Sequence, residues 1–296
     1  GGIGTTSGLN FSSFVFNEGT PCLSTSNGSV NIISGTLTGT VSYQNSVTFK
    51  PVPRTTLTGT GSVNVSTQSA FVTGNYSLSG FGRGPYTVTP SKTDDVNGII
   101  SFDSALIAQH VVGLIMLNPV QQVAADVSDN NAVSSFDAAL IARYLTLLPN
   151  SGSTGTWRFT PPVRSYLSGI TGSLSGQDYT AILKGDVSGN WVPPTSFGPL
   201  APEVTVRDED KVQVRLPKFE AAEDSIVRIP LEVSETVGKG IVSYQFDLVY
   251  NSKVIKPEEV IADTTETLSS EMTVTSNVIG RNRIRVVVFG ARPLEK

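Results

Sequence analysis

The stretch Asp126-Val-Ser-Asp-Asn-Asn-Ala-Val-Ser-Ser-Phe-Asp137, followed by the helical run 138–148, decides how the centre of this chain is interpreted. Oxygen-bearing residues stand at positions 1, 3, 5, 9 and 12 of the twelve, which is the spacing of a loop that wraps a calcium ion, and the carbonyl at position 7 adds an oxygen. The predicted ligands are Asp126, Ser128, Asn130, Ala132, Ser134 and Asp137. Asn131 stands where such loops have Gly, which is tolerable because Asn enters the left-handed region more readily than most residues.

A shorter copy of this pattern lies upstream. Ser-Phe-Asp-Ser-Ala-Leu-Ile-Ala at 101–108 repeats almost letter for letter as Ser-Phe-Asp-Ala-Ala-Leu-Ile-Ala at 135–142, and apolar residues follow at helical spacing in both copies. The first loop, 95–103, is three residues shorter than the second. Its remaining candidate ligands are Asp95, Asn97 and Asp103. Two loop-helix units in tandem are much harder to explain by chance than one.

A third acidic segment, Gly-Asp-Val-Ser-Gly-Asn-Trp at 185–191, begins like a calcium loop but has no Asp at position 12. Asp186, Ser188 and Asn190 stand at positions 1, 3 and 5. We predict that this half-loop completes the shortened first loop, because each lacks what the other has. Two ions would then be held by three acidic segments. The alternative for the half-loop is an Asx-turn, and for 126–137 a decorated turn with a helix-capping Asp137.

The two loop-helix units, the first of which begins Asp95-Val-Asn-Gly, resemble dockerin modules, which consist of two short calcium-loop and helix segments. The resemblance implies calcium as the bound ion. The first loop departs from the dockerin pattern because the middle of the loop is lost. A helical-repeat array is the alternative interpretation, but there are only two copies and each opens with an acidic loop.

Short strand patterns precede the helical centre. They are predicted at 37–43, 56–59, 62–65, 74–79 and 85–89, with Gly, Pro and Asn between them, as in a small antiparallel sandwich. Gly-Asn-Tyr-Ser-Leu-Ser-Gly-Phe-Gly-Arg-Gly-Pro-Tyr-Thr-Val-Thr-Pro at 74–90 resembles the final hairpin of prealbumin-like modules of the carboxypeptidase-regulatory or Cna-B type. Such modules are usually stalks and spacers of surface proteins, so the resemblance implies a structural role.

Beyond a proline-rich segment, apolar residues alternate as in half-buried strands. Ile-Pro-Leu-Glu-Val (229–233), Val-Ser-Tyr-Gln-Phe-Asp-Leu-Val-Tyr-Asn-Ser-Lys-Val-Ile (242–255) and Arg-Ile-Arg-Val-Val-Val-Phe-Gly (283–290) resemble a cohesin, the jelly-roll partner of dockerins. This module is expected to lack its closing part, and Gly-Leu-Asn-Phe-Ser-Ser-Phe-Val-Phe-Asn-Glu-Gly at 8–19 is similar to that part. The two ends are therefore expected to be pieces of one sandwich, which closes either within one chain or between chains.

The expected fold class is mainly β with a small α-helical insert. The expected segments are 1–33, closing strands of a cohesin-like sandwich; 34–92, a prealbumin-like sandwich; 93–195, a dockerin-like calcium-binding module with a trailing β segment; 196–206, a linker; and 207–296, an incomplete cohesin-like sandwich. An apolar strand at 284–289 would expose an edge that strands of a neighbouring copy cover. The predicted interface residues are Phe11, Phe14, Phe16, Ile284, Val286 and Val288.

The low charge and the abundance of Ser, Thr, Gly and Asn are typical of extracellular β-proteins, and the carboxylates gathered in loops favour cations as ligands. Only 16% of residues are charged, against roughly 25% in typical domains, and the net charge is −4. Lys and Arg form no patch with interleaved aromatic residues, which disfavours nucleic acid as a partner. No apolar run approaches the ~20 residues of a membrane helix. No signal peptide opens the sequence, so a mature chain, a fragment or a cytoplasmic protein is expected.

The sequence does not favour an enzyme. Cys22 is the only cysteine and His110 the only histidine, so neither an internal disulfide, a zinc site nor a Cys–His pair is expected. The resulting hypothesis is a non-catalytic, extracellular or cell-surface structural protein that is stabilised by calcium and forms a head-to-tail homopolymer. One alternative is a scaffoldin-like binding module that meets cohesin or dockerin proteins on a polysaccharide. Another is an accessory region of a secreted glycoside hydrolase.

Overall fold

The computed structural model describes residues 6–15, 24–32, 34–194, 212–218, 220–234, 236–257 and 264–294. Phe16 and the whole predicted linker, 196–206, lie outside these residues. The chain divides into two compact units. The first unit consists of 1–43, 48–93 and 158–181, and the second of 44–47, 94–157 and 182–296.

Strands predominate among the described residues, which confirms the predicted mainly β fold class with a small helical part. The strands before the predicted linker are β1 (Thr6–Leu9), β2 (Gly28–Asn31), β3 (Gly35–Tyr43), β4 (Thr56–Gly61), β5 (Val65–Gln68), β6 (Asn75–Phe81), β7 (Tyr86–Ser91), β8 (Trp157–Thr160), β9 (Arg164–Tyr166), β10 (Ser173–Leu174) and β11 (Tyr179–Leu183). The helices are α1 (Ser101–Val111), α2 (Pro119–Ala125) and α3 (Ser135–Leu145). The remaining strands are β12 (Val214–Arg215), β13 (Glu232–Val233), β14 (Ser243–Val249), β15 (Thr273–Ile279) and β16 (Arg283–Phe289).

The first unit contains a β-sandwich. One sheet has the order β10-β3-β11-β8, with β6 on the other edge of β3, and the second has the order β5-β4-β7-β9. Alternate side chains of β6 and β7 turn inward, so the core lies between the sheets. There the rings of Phe81 and Tyr86 meet edge to face at 5.0 Å, and the hydroxyl of Tyr179 donates to the carbonyl of Val88 at 3.2 Å.

β1 and β2 form a separate antiparallel pair, in which Thr6 aligns with Asn31 and Leu9 with Gly28. Within the described ranges neither strand pairs with a further strand. Every residue of both strands is exposed. Phe11 and Phe14, which follow β1, are 56% and 45% exposed and contact each other edge to face at 5.9 Å. This segment therefore presents apolar side chains at its surface.

In the second unit α1 and α3 pack against each other and bury Ile107 and Ile141 completely. The hydroxyl of Ser104 donates to the carbonyl of Ala138 at 3.1 Å. α3 ends at Leu145, before the predicted end at 148, because Leu147 adopts a left-handed φ of 58°. α2 was not predicted, since its seven residues show no clear apolar period. Asn118 caps it by accepting the N–H groups of Val120 and Gln121.

The strands of the second unit after 211 form the pair β12-β13 and a three-stranded antiparallel sheet in the order β14-β16-β15. Because side chains alternate across a strand, this sheet has two different faces. The apolar face carries Tyr244, Phe246, Leu248, Val274, Val278, Ile284, Val286 and Val288. The polar face carries Gln245, Asp247, Asn277, Arg283 and Arg285, together with Val287 and Phe289.

The prediction of an open edge at 284–289 is wrong. β16 is the central strand, and both of its edges pair with neighbours, β14 on one side and β15 on the other. In the part of the chain that the structure describes, the outer edges of this sheet belong instead to β14 and β15.

Candidate metal centre

The loop 126–137 holds two buried carboxylates. Asp126 follows α2 and accepts the N–H groups of Asn130 and Asn131 at 3.1 and 3.0 Å. Asp137, in the first turn of α3, accepts those of Ser128 and Ser134 at 3.0 and 2.9 Å. Both carboxylates are thus tied to the backbone of one loop. The structure brings the predicted ligands of this segment into a single closed turn of chain.

The half-loop at 186–191 and Asp103 reproduce this arrangement with residues from two distant parts of the chain. Asp186 accepts the N–H groups of Asn190 and Trp191 at 3.1 and 3.0 Å. Asp103, in the first turn of α1, accepts those of Ser188 and Ile100 at 2.7 and 2.8 Å. Each of these four bonds has its counterpart in the loop 126–137. The structure therefore places Asp103 where position 12 of a loop that starts at Asp186 would stand. We call this arrangement the split loop.

The two helices begin with the same backbone geometry, because the repeated sequence places an Asp in the first turn of each. Ile100 precedes α1 with φ −139° and ψ 172°, and Ser134 precedes α3 with φ −141° and ψ 172°. In both cases the Asp accepts a hydrogen bond from the backbone of the preceding residue, at 2.8 and 2.9 Å. The carboxylate that closes each loop is thereby fixed by the start of a helix.

Two further predicted ligands, Asn97 and Asp95, lie where the split loop is joined. The side-chain amide of Asn97 accepts the N–H of Val192 at 2.9 Å and donates to its carbonyl at 3.0 Å. The carbonyl of Asp95 accepts the indole N–H of Trp191 at 2.8 Å, and that ring meets Trp157 edge to face at 5.2 Å. These contacts hold the two chain segments of the split loop together.

Two side chains that sequence reasoning missed support the loops from outside. Asn45 is buried and donates to the carbonyls of Asp186 and Val187 at 2.7 and 3.2 Å. Lys184 is 2% exposed, donates to the carbonyl of Asp126, and lies 3.1 Å from a carboxylate oxygen of Asp129. The position of Lys184 just before Asp186 is visible in the sequence, but its partner in the other loop is not.

Burial makes the split loop unfavourable for an isolated negative charge. Asp103 and Asp186 are both fully buried. The pKa of Asp103 is raised to about 7, chiefly by burial and also by the negative charge of Asp186, although N–H groups of Ile100 and Ser188 oppose the shift by stabilising the ionised form. A cation between the two carboxylates would oppose this cost.

The donor atoms of both loops fit calcium. Each loop offers two carboxylates with neutral oxygens of Ser and Asn side chains, which are hard ligands of the kind calcium takes. No three side chains of the acidic, His or Cys type form a cluster among the described residues, so each loop depends on only two charged ligands. Gly98 approaches the half-loop closely, because a Cβ there would lie 2.5 Å from the side-chain oxygen of Asn190.

The predicted interface residues that the structure describes fall into two groups. Phe11 and Phe14 are exposed in the first unit. Ile284, Val286 and Val288 lie on the apolar face of the three-stranded sheet in the second unit. Val286 and Val288 are buried and Ile284 is half-buried. Phe16 is outside the described residues.

Residues 212–293 match the family model described as Cohesin domain. This part of the chain, which contains β12 to β16, is a cohesin-like module, as predicted. The match supports a binding module of the cohesin type. No curated protein and no solved structure matches the chain. Of the helices in the described ranges, none has the length and apolar character needed to cross a membrane.

Proposed function

We propose that this chain is a non-catalytic structural subunit of an extracellular or cell-surface assembly, in which β1 or β2 of one copy completes the cohesin-like sheet of another. The observation that carries this proposal is the exposure of every residue of β1 and β2, together with the apolar side chains of Phe11 and Phe14 beside them. Cohesin domains are binding modules of such assemblies, which supports a role in assembly and not in catalysis.

The outer edge of β15 is the receptor that we favour for the incoming strand. β15 carries no charged residue, whereas β14 carries Asp247, and charges on an edge strand oppose pairing. Val274 and Val278 are half-buried on the apolar face beside this edge, next to Val288 and Ile284 of β16. An added strand would satisfy backbone groups of β15 and cover these side chains. A head-to-tail contact of this kind, repeated from copy to copy without closing into a ring, would propagate as a fibre.

Calcium has a structural role in this proposal. Asp126, Ser128, Asn130, Ala132, Ser134 and Asp137 would hold one ion, and Asp103, Asp186, Ser188 and Asn190 a second. When bound, calcium cancels the repulsion between the two buried carboxylates of each loop. In the split loop it also ties the start of α1 to the segment after β11. The arrangement around α1 and α3 supports the dockerin-like interpretation of 94–150.

The second candidate function is recognition of a dockerin-type partner by the cohesin-like module, in a scaffoldin-like assembly on a polysaccharide. The family match at 212–293 favours it. It differs from the first proposal because it requires no contact between copies of this chain.

Sedimentation velocity and electron microscopy of the full chain, with calcium and with chelator, test the two functions. We expect the double variant Phe11→Ser/Phe14→Ser to remain monomeric under conditions in which the unchanged chain forms oligomers and filaments in calcium. The reason is that strand addition would lose the apolar contacts of both rings. Chelator is expected to shorten or fray the filaments.

Phe49→Ser is the matched control, since Phe49 is another exposed aromatic residue of the first unit, 66% exposed, outside β1 and β2. It should assemble like the unchanged chain. Filaments formed equally well by Phe11→Ser/Phe14→Ser would contradict strand complementation. Monodisperse particles of the unchanged chain in both conditions would favour the binding-module function instead.

A further inference from the structure

We propose that the polar face of the three-stranded sheet is a docking face for the ends of α1 and α3 of the same chain. An outside partner of the cohesin-like module must then use another surface or displace these helices. This docking concerns the same cohesin-like module as the proposed function, and it rests on that function only because both treat the module as a binding module.

The first contact is at the beginning of α1. The N–H of Ser101, the first residue of the helix, donates to the side-chain oxygen of Gln245 at 3.2 Å. The first N–H groups of a helix have no acceptor within the helix, so the sheet supplies one of them. Ser101 is 5% exposed, whereas Ser135, its counterpart in the repeat, is exposed at the start of α3. The sheet therefore covers only one of the two repeated helix starts.

The second contact is at the end of α3, where the last carbonyl groups lack partners within the helix. The side-chain amide of Asn277 donates to the carbonyl of Thr146 at 2.6 Å. The guanidinium of Arg285 donates to the carbonyl of Leu145 at 3.3 Å. A positive charge is favoured at this end of a helix by the helix dipole. The sheet thus recognises helix ends through their backbone groups.

These side chains are positioned by the sheet itself. Asp247, Arg285 and Asn277 stand in one row across β14, β16 and β15. The Asp247 carboxylate accepts Nε and Nη2 of Arg285 at 2.7 and 2.9 Å, which leaves Nη1 directed at Leu145. Val287, in the next row of the same face, is fully buried. The polar contacts therefore lie beside a desolvated apolar side chain, as in an interface.

Hydrogen exchange of the full chain, followed by mass spectrometry, tests the docking. In the double variant Asn277→Ala/Arg285→Ala we expect exchange at the end of α3, including the amides of Thr146 and Leu148, to become at least about tenfold faster. Loss of one neutral and one charge-assisted hydrogen bond is sufficient for this effect. Exchange in the first turn of α1 should rise with it.

Arg283→Ala is the matched control. Arg283 also lies on the polar face and near Asp247, at 3.4 Å, but it is 48% exposed and has no hydrogen bond to a helix end among the described residues. It should leave exchange in both helices unchanged. Helix exchange that is unaltered in the double variant, or altered equally by Arg283→Ala, would overturn the proposal.

Ser101→Pro provides a second route should the double variant not fold. Pro is well tolerated at the first position of a helix, so this change removes the N–H donor to Gln245 and keeps α1. We expect faster exchange in β14, and unchanged β14 would also count against docking. Sedimentation of the same samples separates this inference from the proposed function. If the chain fails to assemble while hydrogen exchange shows that the helices are docked, only the proposed function is refuted. If the helices are not docked while the chain still assembles, only the docking of the helices is refuted.

Discussion

The split loop contains a glycine, Gly98, at a position that has no room for a side chain. Gly98 has a φ of +85°, and a Cβ there would lie 2.5 Å from the side-chain oxygen of Asn190 and 2.8 Å from the backbone nitrogen of Trp191. We predict that Gly98→Ala removes calcium binding at the split loop and leaves it intact at 126–137. The calcium stoichiometry measured by calorimetry should fall from two to one.

Gly113 offers the matched control for backbone strain. Its φ is +77°, yet nothing lies within 4 Å of the position a Cβ would take. Gly113→Ala should therefore cost only the left-handed conformation of an L-residue, about 1–2 kcal/mol, and keep both calcium ions. In denaturant unfolding Gly98→Ala should cost more than this. The prediction would be contradicted if Gly98→Ala and Gly113→Ala lost the same stability and both still bound two calcium ions. The split loop would then tolerate a Cβ at Gly98.

Both tryptophans of the chain lie next to the split loop, so their fluorescence should respond to an ion bound there. Trp157 begins β8, Trp191 ends the half-loop, and the backbone N–H of Trp191 donates to the Asp186 carboxylate at 3.0 Å. We predict that calcium changes the intrinsic tryptophan emission of the unchanged chain and that Asp186→Ala abolishes this change. The cause is that an ion on Asp186 alters the hydrogen bond between this carboxylate and the backbone of Trp191, and with it the environment of the buried indole.

Asp126→Ala is the control for this signal, because the loop 126–137 contains no tryptophan. It should lower the calcium stoichiometry to one and keep most of the emission change. The opposite result, in which Asp126→Ala abolishes the emission change and Asp186→Ala preserves it, would show that the tryptophans respond to calcium in the loop 126–137. That result would contradict the packing of Trp191 in the split loop.

Strands and helices with a clear apolar period could be predicted from the sequence, whereas the strands that pair with them in space could not. Apolar alternation located β14 and β16, and helical spacing located α1 and α3, because burial of one face leaves a trace in the local sequence. The neighbours of a strand depend on the sheet topology, which is why the edge was wrongly assigned to β16 instead of β14 and β15. The strand predicted at 62–65 became β5 at Val65–Gln68, since residues 62–64 connect it to β4.

The candidate site shows the same division. The half-loop at 186–191 could be matched to the first loop because each carries part of one known pattern. Asn45 could not be found, because it lies far from both loops in the sequence and acts through backbone carbonyls. Asn97 fits the spacing of a ligand, but its side-chain amide forms hydrogen bonds with the backbone of Val192. The sequence could not predict this, because Val192 approaches Asn97 only in the folded chain.

Both candidate calcium sites belong to the second of the two units, as does Asn45, which supports the split loop from the segment 44–47. No candidate loop was identified in the first unit among the described residues. An ion that binds only the folded state stabilises the part of the chain that holds it. Calcium should therefore act on the second unit and leave the first unit almost unchanged.

Calorimetric unfolding of the full chain provides the measurement. With free calcium at 100 times its dissociation constant, we predict that one transition gains about 2.7 kcal/mol per occupied site and moves to higher temperature, while a second transition stays in place. Magnesium at the same concentration is the control for ionic strength. It demands a tighter octahedral geometry and keeps its waters, so it should move neither transition as far. A calcium shift shared equally by both transitions would contradict the assignment of both sites to the second unit, because an ion held there has no ligand in the first.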